Sequence, residues 1–211
     1  RHAKESIETY DPAKAAALFA RFVKNGTWHC PTLTVNRAVA YMDDPAFTSD
    51  QRVRYMPSSI RAFWDPKNDF RFKELTPEDF ANRKRTFAKL MEIAGAMQKA
   101  GVGILAGTDT LNPYCFPGFS LHDELALLVQ AGLTPLQALQ AATRNPARFL
   151  ENDDYGAVAN GKMADLVLLD ANPLQDIHNT TKIAAVIFNG KYFSRSDLDD
   201  MLSAVEKIEG Q

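Results

Sequence analysis

Val102-Gly103-Ile104-Leu105-Ala106-Gly107-Thr108-Asp109-Thr110 is the stretch on which the fold of this 211-residue chain turns. Residues 102–106 form a short apolar run flanked by glycines, the pattern of a parallel strand covered on both faces. Just upstream, Thr76-Pro77-Glu78-Asp79 opens a long helix, with Thr76 as its cap. Phe80, Phe87, Leu90, Met91, Ala94 and Met97 make one apolar face of that helix, and Gly101 ends it. A helix followed by a buried strand is α/β grammar. Asp109 then falls just beyond the strand's carboxyl end, where parallel α/β folds carry their chemistry.

Working outward, Asp11-Pro12 caps a helix with Ala15, Leu18, Phe19, Phe22 and Val23 at helical spacing, stopped by Gly26. Trp28 to Val35 reads as a second short strand, interrupted by Pro31. Residues 36–75 show no sustained period and hold several prolines among many aromatics. A loop of that length, with short helical turns at most, is expected to cover or line a site. Downstream, Ser120 with Asp123, Thr134-Pro135 with Gln137, and Asn145-Pro146 each announce a helix. Gly156 to Val158, Asp165 to Leu169 and Ala184 to Phe193 read as small strands, with Asn189-Gly190 as a hairpin turn. Ser196 to Glu209 reads as an amphipathic final helix.

The net charge is −2, and 45% of residues are hydrophobic, a composition able to bury a core. Without a run of Lys or Arg there is no electrostatic footprint for nucleic acid or an anionic membrane, so neither is an expected partner. No apolar stretch approaches the ~18 residues a membrane span needs. Cys30 and Cys115 provide neither a disulfide framework nor a CxxC knuckle. The opening Arg1-His2-Ala3 suggests a processed chain or an excised piece.

Asp109 is the sharpest candidate for chemistry, with two roles open: closing its own Asx turn, or serving as a catalytic or metal-binding carboxylate. His2, His29, His122 and His178 have no spacing that defines a metal motif. His29 fits a core or rim position. His122, in the first turn of a helix after the Asp109 loop, fits surface packing or a substrate pocket. Cys115 between Tyr114 and Phe116 reads as an apolar filler, having no adjacent base to lower its pKa. Asp43, Asp44 and Asp50 read as a solvated edge.

The ordered set 106-AGTDT-110, 120-SLHDEL-125, 131-AGLTPLQAL-139, 141-AAT-143, 145-NPA-147 and 161-GKMADLVLLD-170, then 172-NPL-174, resembles the C-terminal half of the metal-dependent amidohydrolase superfamily. The likeness is to imidazolonepropionase-like and prolidase-like members. It is clear from Val102 to Tyr192 and weaker over Asp11 to Val35. The resemblance implies an α/β fold: the last two strands and helices of a (β/α)8 TIM-type barrel within 1–154, with barrel strands near 28–35 and 102–106. The C-terminal share of a small β-sandwich over 155–193 and a C-terminal helix over 194–211 follow. In that superfamily the aspartate after the eighth strand ligates a divalent metal, usually zinc, accepts the proton as metal-bound hydroxide attacks an amide-like carbon, and passes it to the leaving nitrogen.

The superfamily's other ligands precede this stretch of chain, and a complete barrel takes ~250 residues. His2 falls in the connection after the sixth strand and is not simply that strand's ligand. The chain is therefore expected to be a C-terminal piece, inactive alone, of a hydrolase acting on amide, cyclic amide or dipeptide bonds, with Asp109 as ligand and proton shuttle. His122, Tyr114 and Trp64 are expected around a small-molecule pocket. Open strand edges would be completed by the N-terminal half of the barrel or by a homo-oligomer. The alternative is a non-catalytic scaffold or association module with the same fold.

Overall fold

A computed structural model describes residues 7–209, so His2 lies outside the described residues. Helix α1 (Pro12–Lys24) starts at Asp11, whose carboxylate accepts from the amides of Ala13 (2.8 Å) and Lys14 (3.2 Å). Strand β1 (Trp28–His29) pairs in parallel with β2 (Gly103–Ile104), Trp28 opposite Gly103 and His29 opposite Ile104. The Leu105 amide extends the ladder by donating to the His29 carbonyl at 2.9 Å. Gly103 has no substitute here, because a Cβ would stand 2.4 Å from the Trp28 ring. Parallel strands need a long crossover. That role falls to α5 (Pro77–Lys99), opened as expected by the reciprocal Thr76–Asp79 capping box.

The strand expected over 28–35 stops at His29. Thr32 takes a left-handed φ of 45°, and α2 (Leu33–Tyr41) begins at once. The cause is tertiary. Glu124, on α6 (Phe119–Gln130), presents its carboxylate to the Leu33 amide (2.9 Å) and to the Thr34 amide (2.7 Å) and hydroxyl (2.8 Å). Acceptors for the orphan donors of a helix start outweigh the β-propensity of Leu33 to Val35.

The aperiodic stretch 36–75 is more helical than its sequence suggests. It holds α3 (Pro45–Thr48), a 3-10 turn (Gln51–Tyr55) and α4 (Ser58–Trp64); Asp44 and Asp50 cap the first two from their side chains. Asp43 reaches Lys84 and Asp50 reaches Arg52, so these acids are paired rather than merely solvated. Two small apolar cores hold the insert, Met42–Phe72–Phe80 and Met56–Trp64–Phe116.

Ser120 does not cap α6. Gly118 does, at φ 75°, while the Ser120 hydroxyl accepts from the Phe116 amide at 2.7 Å and braces the preceding loop. The Thr134–Gln137 box opens α7 (Pro135–Ala142) as expected, and α8 (Arg144–Phe149) follows. The main core gathers Phe19, Leu33, Phe87, Leu128 and Ala141 from the helices around Ile104 of β2.

Gly156 to Val158 form no strand. Gly156 packs where a Cβ would meet Ala147 at 2.8 Å, and Val158, 86% exposed, pairs with no strand among the described residues. The remaining strands form a three-stranded antiparallel sheet, β3 (Leu166–Leu169), β4 (Ile183–Phe188) and β5 (Lys191–Ser194), in that order. Asn189 and Gly190 turn the hairpin with φ 48° and 73°, as their pairing predicts. Helix α9 (Arg195–Glu209) closes the described chain.

Helices α5 and α6 touch at Gly95, where a Cβ would lie 2.0 Å from the Ala131 carbonyl oxygen. Gly95→Ala therefore destabilises the protein by about 1–3 kcal/mol, although alanine is the better helix former by ~1 kcal/mol. A urea midpoint at or above wild type would show that the two helices part without loss.

Candidate active site

Asp109 sits just past the carboxyl end of β2, in the connection to α6, with its residue exposed to solvent. Its φ of 55° is left-handed, a conformation that costs a side-chain-bearing residue ~1 kcal/mol. Local bonds hold it there: the Asp109 carbonyl accepts from both the backbone amide (3.2 Å) and the side-chain Nδ2 (2.9 Å) of Asn112. The carboxylate itself accepts no hydrogen bond among the described residues. The side chain that closes this turn is thus Asn112, and the Asx-turn role open to Asp109 in the sequence is not the one it adopts. Thr108 and Thr110 flank it, their hydroxyls 2.8 Å apart.

The same face carries Cys30, which follows β1. Gly107 makes room for it, since a Cβ there would be 2.5 Å from the Cys30 sulfur. Burial, then the charges of Glu124 and Asp109, push the Cys30 thiol up. Cys115 is 0% exposed, and burial pushes its pKa up to about 12, with Asp109 adding to the effect. A thiol so disfavoured as thiolate is the apolar filler its neighbours suggest.

The other candidates are spread unevenly. Tyr114, at φ 57°, is half-buried and donates from its hydroxyl to the Thr48 carbonyl at 3.1 Å; burial raises its pKa. Its ring meets Phe47 (5.5 Å), Trp64 (5.7 Å) and Phe116 (6.0 Å), so it ties the Asp109–α6 loop to the insert. Trp64, expected around a pocket, is 2% exposed and packed against Tyr114 and Phe116 in a small apolar core, so it presents no surface of its own to a ligand. His122, half-buried in the first turn of α6, lies with Nδ1 3.0 Å from the Thr180 hydroxyl. Burial lowers its pKa, against the charge of Asp123. His122 therefore joins α6 to the 3-10 turn Ile177–Thr181, which leads into the small sheet. His29 is half-buried, and burial lowers its pKa too.

Three groups escaped sequence reasoning. Glu124 looks like one more acid near a helix start, yet it is 0% exposed and seats α2 from 90 residues away. Burial raises its pKa, against the three hydrogen bonds it accepts. Asn112 and the Asp69–Arg71 pair brace the Asp109 turn; the one local signal was an Asn three residues after the Asp. Among the described residues no group of three or more His, Cys, Asp or Glu side chains could hold a metal. Asp109 alone, exposed and unengaged, fits one position in a coordination shell.

Comparison with known proteins agrees with this geometry. The sequence pattern of the Amidohydrolase family matches residues 79–192, more than half of the chain. An 82-residue stretch, 38% of this chain and 20% of the relative, is 44% identical to the imidazolonepropionase of Deinococcus deserti. A 105-residue alignment, 44% of this chain and 21% of the relative, is 38% identical to the ochratoxinase of Aspergillus niger. The chain thus spans about a fifth of the length of these curated relatives. Among solved structures, bottromycin amidohydrolase superposes with a TM-score of 0.71 at 28% identity, over 87% of this chain and 40% of that one. The parallel β1–β2 pair with its helices is accordingly part of a TIM-type barrel, in a superfamily that is generally dependent on divalent metals. This chain belongs to the amidohydrolase family.

Proposed function

We propose that this chain supplies the Asp109 carboxylate and part of the substrate pocket to a metal-dependent hydrolase of C–N bonds in amides, cyclic amides or dipeptides. The observation that carries this reading is an exposed carboxylate at a barrel strand's tip, held in a left-handed turn by Asn112 while its own oxygens are unengaged among the described residues. A carboxylate tied into its own turn or buried in a dry core could do neither of the jobs required. Nothing comparable favours the scaffold alternative.

Asp109 would be one ligand of a divalent cation, zinc by preference, with the rest of the shell coming from residues outside this stretch. When bound, such a cation supplies Lewis acidity and lowers the pKa of water from 15.7 toward ~7. The work of this chain is proton handling. One Asp109 Oδ takes the proton from the attacking water, and the same carboxyl returns it to the nitrogen as the C–N bond breaks. Tyr114 forms a pocket wall, with Trp64 behind it, and His122 stands at the pocket's outer limit.

In the same reading, residues 1–154 belong to the barrel, 155–193 to the C-terminal share of a small β-sandwich, and 194–211 to the closing helix. The β1 and β2 edges are completed by the N-terminal half of a barrel or by another copy of the chain. The chain on its own, with a single ligand, is inactive.

Removing metal tests the reading. The intact protein, assayed on a panel of N-acyl amino acids, dipeptides and cyclic amides, loses turnover of its best substrate on dialysis against a chelator and regains it with added zinc. Turnover that survives chelation with no metal left by elemental measurement overturns the proposal.

A further inference from the structure

We infer that Asn112, held from the far side by Arg71, positions the Asp109 carboxylate for reaction. The inference rests on the role of Asp109 proposed above and adds to it the residues that aim the group. Asn112 is bonded at both ends of its side-chain amide. Its Nδ2 donates to the Asp109 carbonyl at 2.9 Å, and its Oδ1 accepts from an Arg71 guanidinium nitrogen at 3.1 Å. An amide used this way cannot flip or rotate without losing both partners, so the peptide after Asp109 is fixed, and with it the direction in which the Asp109 side chain leaves the backbone.

Arg71 is itself immobilised. Its Nε donates to both Asp69 oxygens at 3.0 Å, another guanidinium nitrogen donates to Oδ2 at 2.6 Å, and its backbone amide donates to Oδ1 at 2.8 Å. Asp69 is 1% exposed, and the Arg71 guanidinium beside it holds its carboxyl below the usual range. Behind them Arg83, on the barrel helix α5, donates to the Arg71 carbonyl at 3.3 Å, and the Arg71 and Arg83 guanidiniums lie 5.5 and 5.0 Å from the Phe72 ring. A continuous set of contacts thus runs from α5 through the insert to the strand tip. Asp109 occupies a left-handed conformation that persists only where its surroundings over-determine it. Asn112 provides that constraint, and the 36–75 insert steadies Asn112 through Arg71.

Three variants of the intact protein separate the contacts. Asn112→Ala loses both bonds, Asn112→Asp keeps an acceptor for Arg71 but has no donor for the Asp109 carbonyl, and Arg71→Met frees Asn112 from the insert. Positioning groups around a catalytic ligand are worth about 10–100-fold. Asn112→Ala and Asn112→Asp are expected to lower kcat by about that factor with KM changed less than about twofold, and Arg71→Met to lower kcat less. Amide hydrogen exchange at residues 109–112 rises in all three. Faster exchange with kcat unchanged, or a loss confined to KM, overturns the inference. Should Asn112→Ala not fold, the Asn112→Asp and Arg71→Met pair decides between the same outcomes. The exchange readout does not depend on turnover, so failure of the proposed role of Asp109, seen as an active Asp109→Asn variant, is distinguishable from failure of the positioning role.

Discussion

Asp109→Asn in the intact protein lowers kcat by about 10³-fold, within the range that loss of a positioned acid–base group produces, and leaves stability within about 0.5 kcal/mol of wild type. The two halves of this expectation have separate physical sources. Asparagine is nearly isosteric with aspartate, so the turn at φ 55°, which is held through the Asp109 carbonyl rather than its side chain, is preserved. The exposed carboxylate has no hydrogen-bond partner among the described residues, so folding loses little when it becomes an amide. A neutral amide, however, neither takes the proton of an attacking water nor binds a divalent cation with comparable strength. Steady-state kinetics and a denaturant melt on the same preparation check both halves. Turnover within tenfold of wild type would falsify the catalytic assignment outright. A large loss of stability would mean that the carboxylate is structural.

Glu124→Ala carries the largest expected effect on stability, about 4 kcal/mol, because it strands two backbone amides in the core at ~1–3 kcal/mol each, leaves the Thr34 hydroxyl only the Ser120 carbonyl at 3.5 Å, and opens a cavity. Glu124→Gln is milder, since one amide oxygen still accepts, but its NH2 faces donors. It also exposes a pH dependence with a definite sign. Burial places the folded pKa of Glu124 above its ordinary value of 4.5. Over the window between those two values the folded protein holds a proton that the unfolded chain has released. The contribution of Glu124 to stability is therefore full below the unfolded pKa and declines as pH rises through the folded one. Asp50 and Asp69 behave oppositely: both are lowered, Asp69 by its Arg71 partner and Asp50 by Arg52 against the effect of burial. Their contributions are present above the unfolded pKa and lost as pH falls through the folded values. Urea midpoints of wild type and Glu124→Gln across pH 4–8 isolate the Glu124 part, because the aspartates are common to both. The stability advantage of wild type over Glu124→Gln should shrink as pH rises. An advantage that grows with pH would mean that the three hydrogen bonds outweigh burial.

The elements legible in the sequence are those whose causes are local. Thr76 with Asp79 and Thr134 with Gln137 satisfy their own helix starts, Asp11 caps the helix beside it, and Asn189-Gly190 adopts the positive φ values a tight hairpin needs. Asp109 was legible for the same reason: an apolar strand that ends in a carboxylate places that carboxylate at the strand's tip wherever the rest of the chain goes. The order and spacing of the motifs from Ala106 to Leu174 sufficed to identify the family. What only the tertiary structure decided depends on partners distant in the chain. Thr32 to Val35 has the composition of a strand and becomes the start of a helix because Glu124 arrives with acceptors for its amides. The aromatics of 36–75, without period, fold into short helices around Trp64 and Tyr114, whose packing surface is provided by the loop after Asp109. Asn112 shows the same division within one side chain: its bond to Asp109 is three residues long and leaves a local signal in the sequence, while its bond to Arg71 spans 41 residues and forms only where the rest of the fold offsets the entropic cost of bringing such groups together.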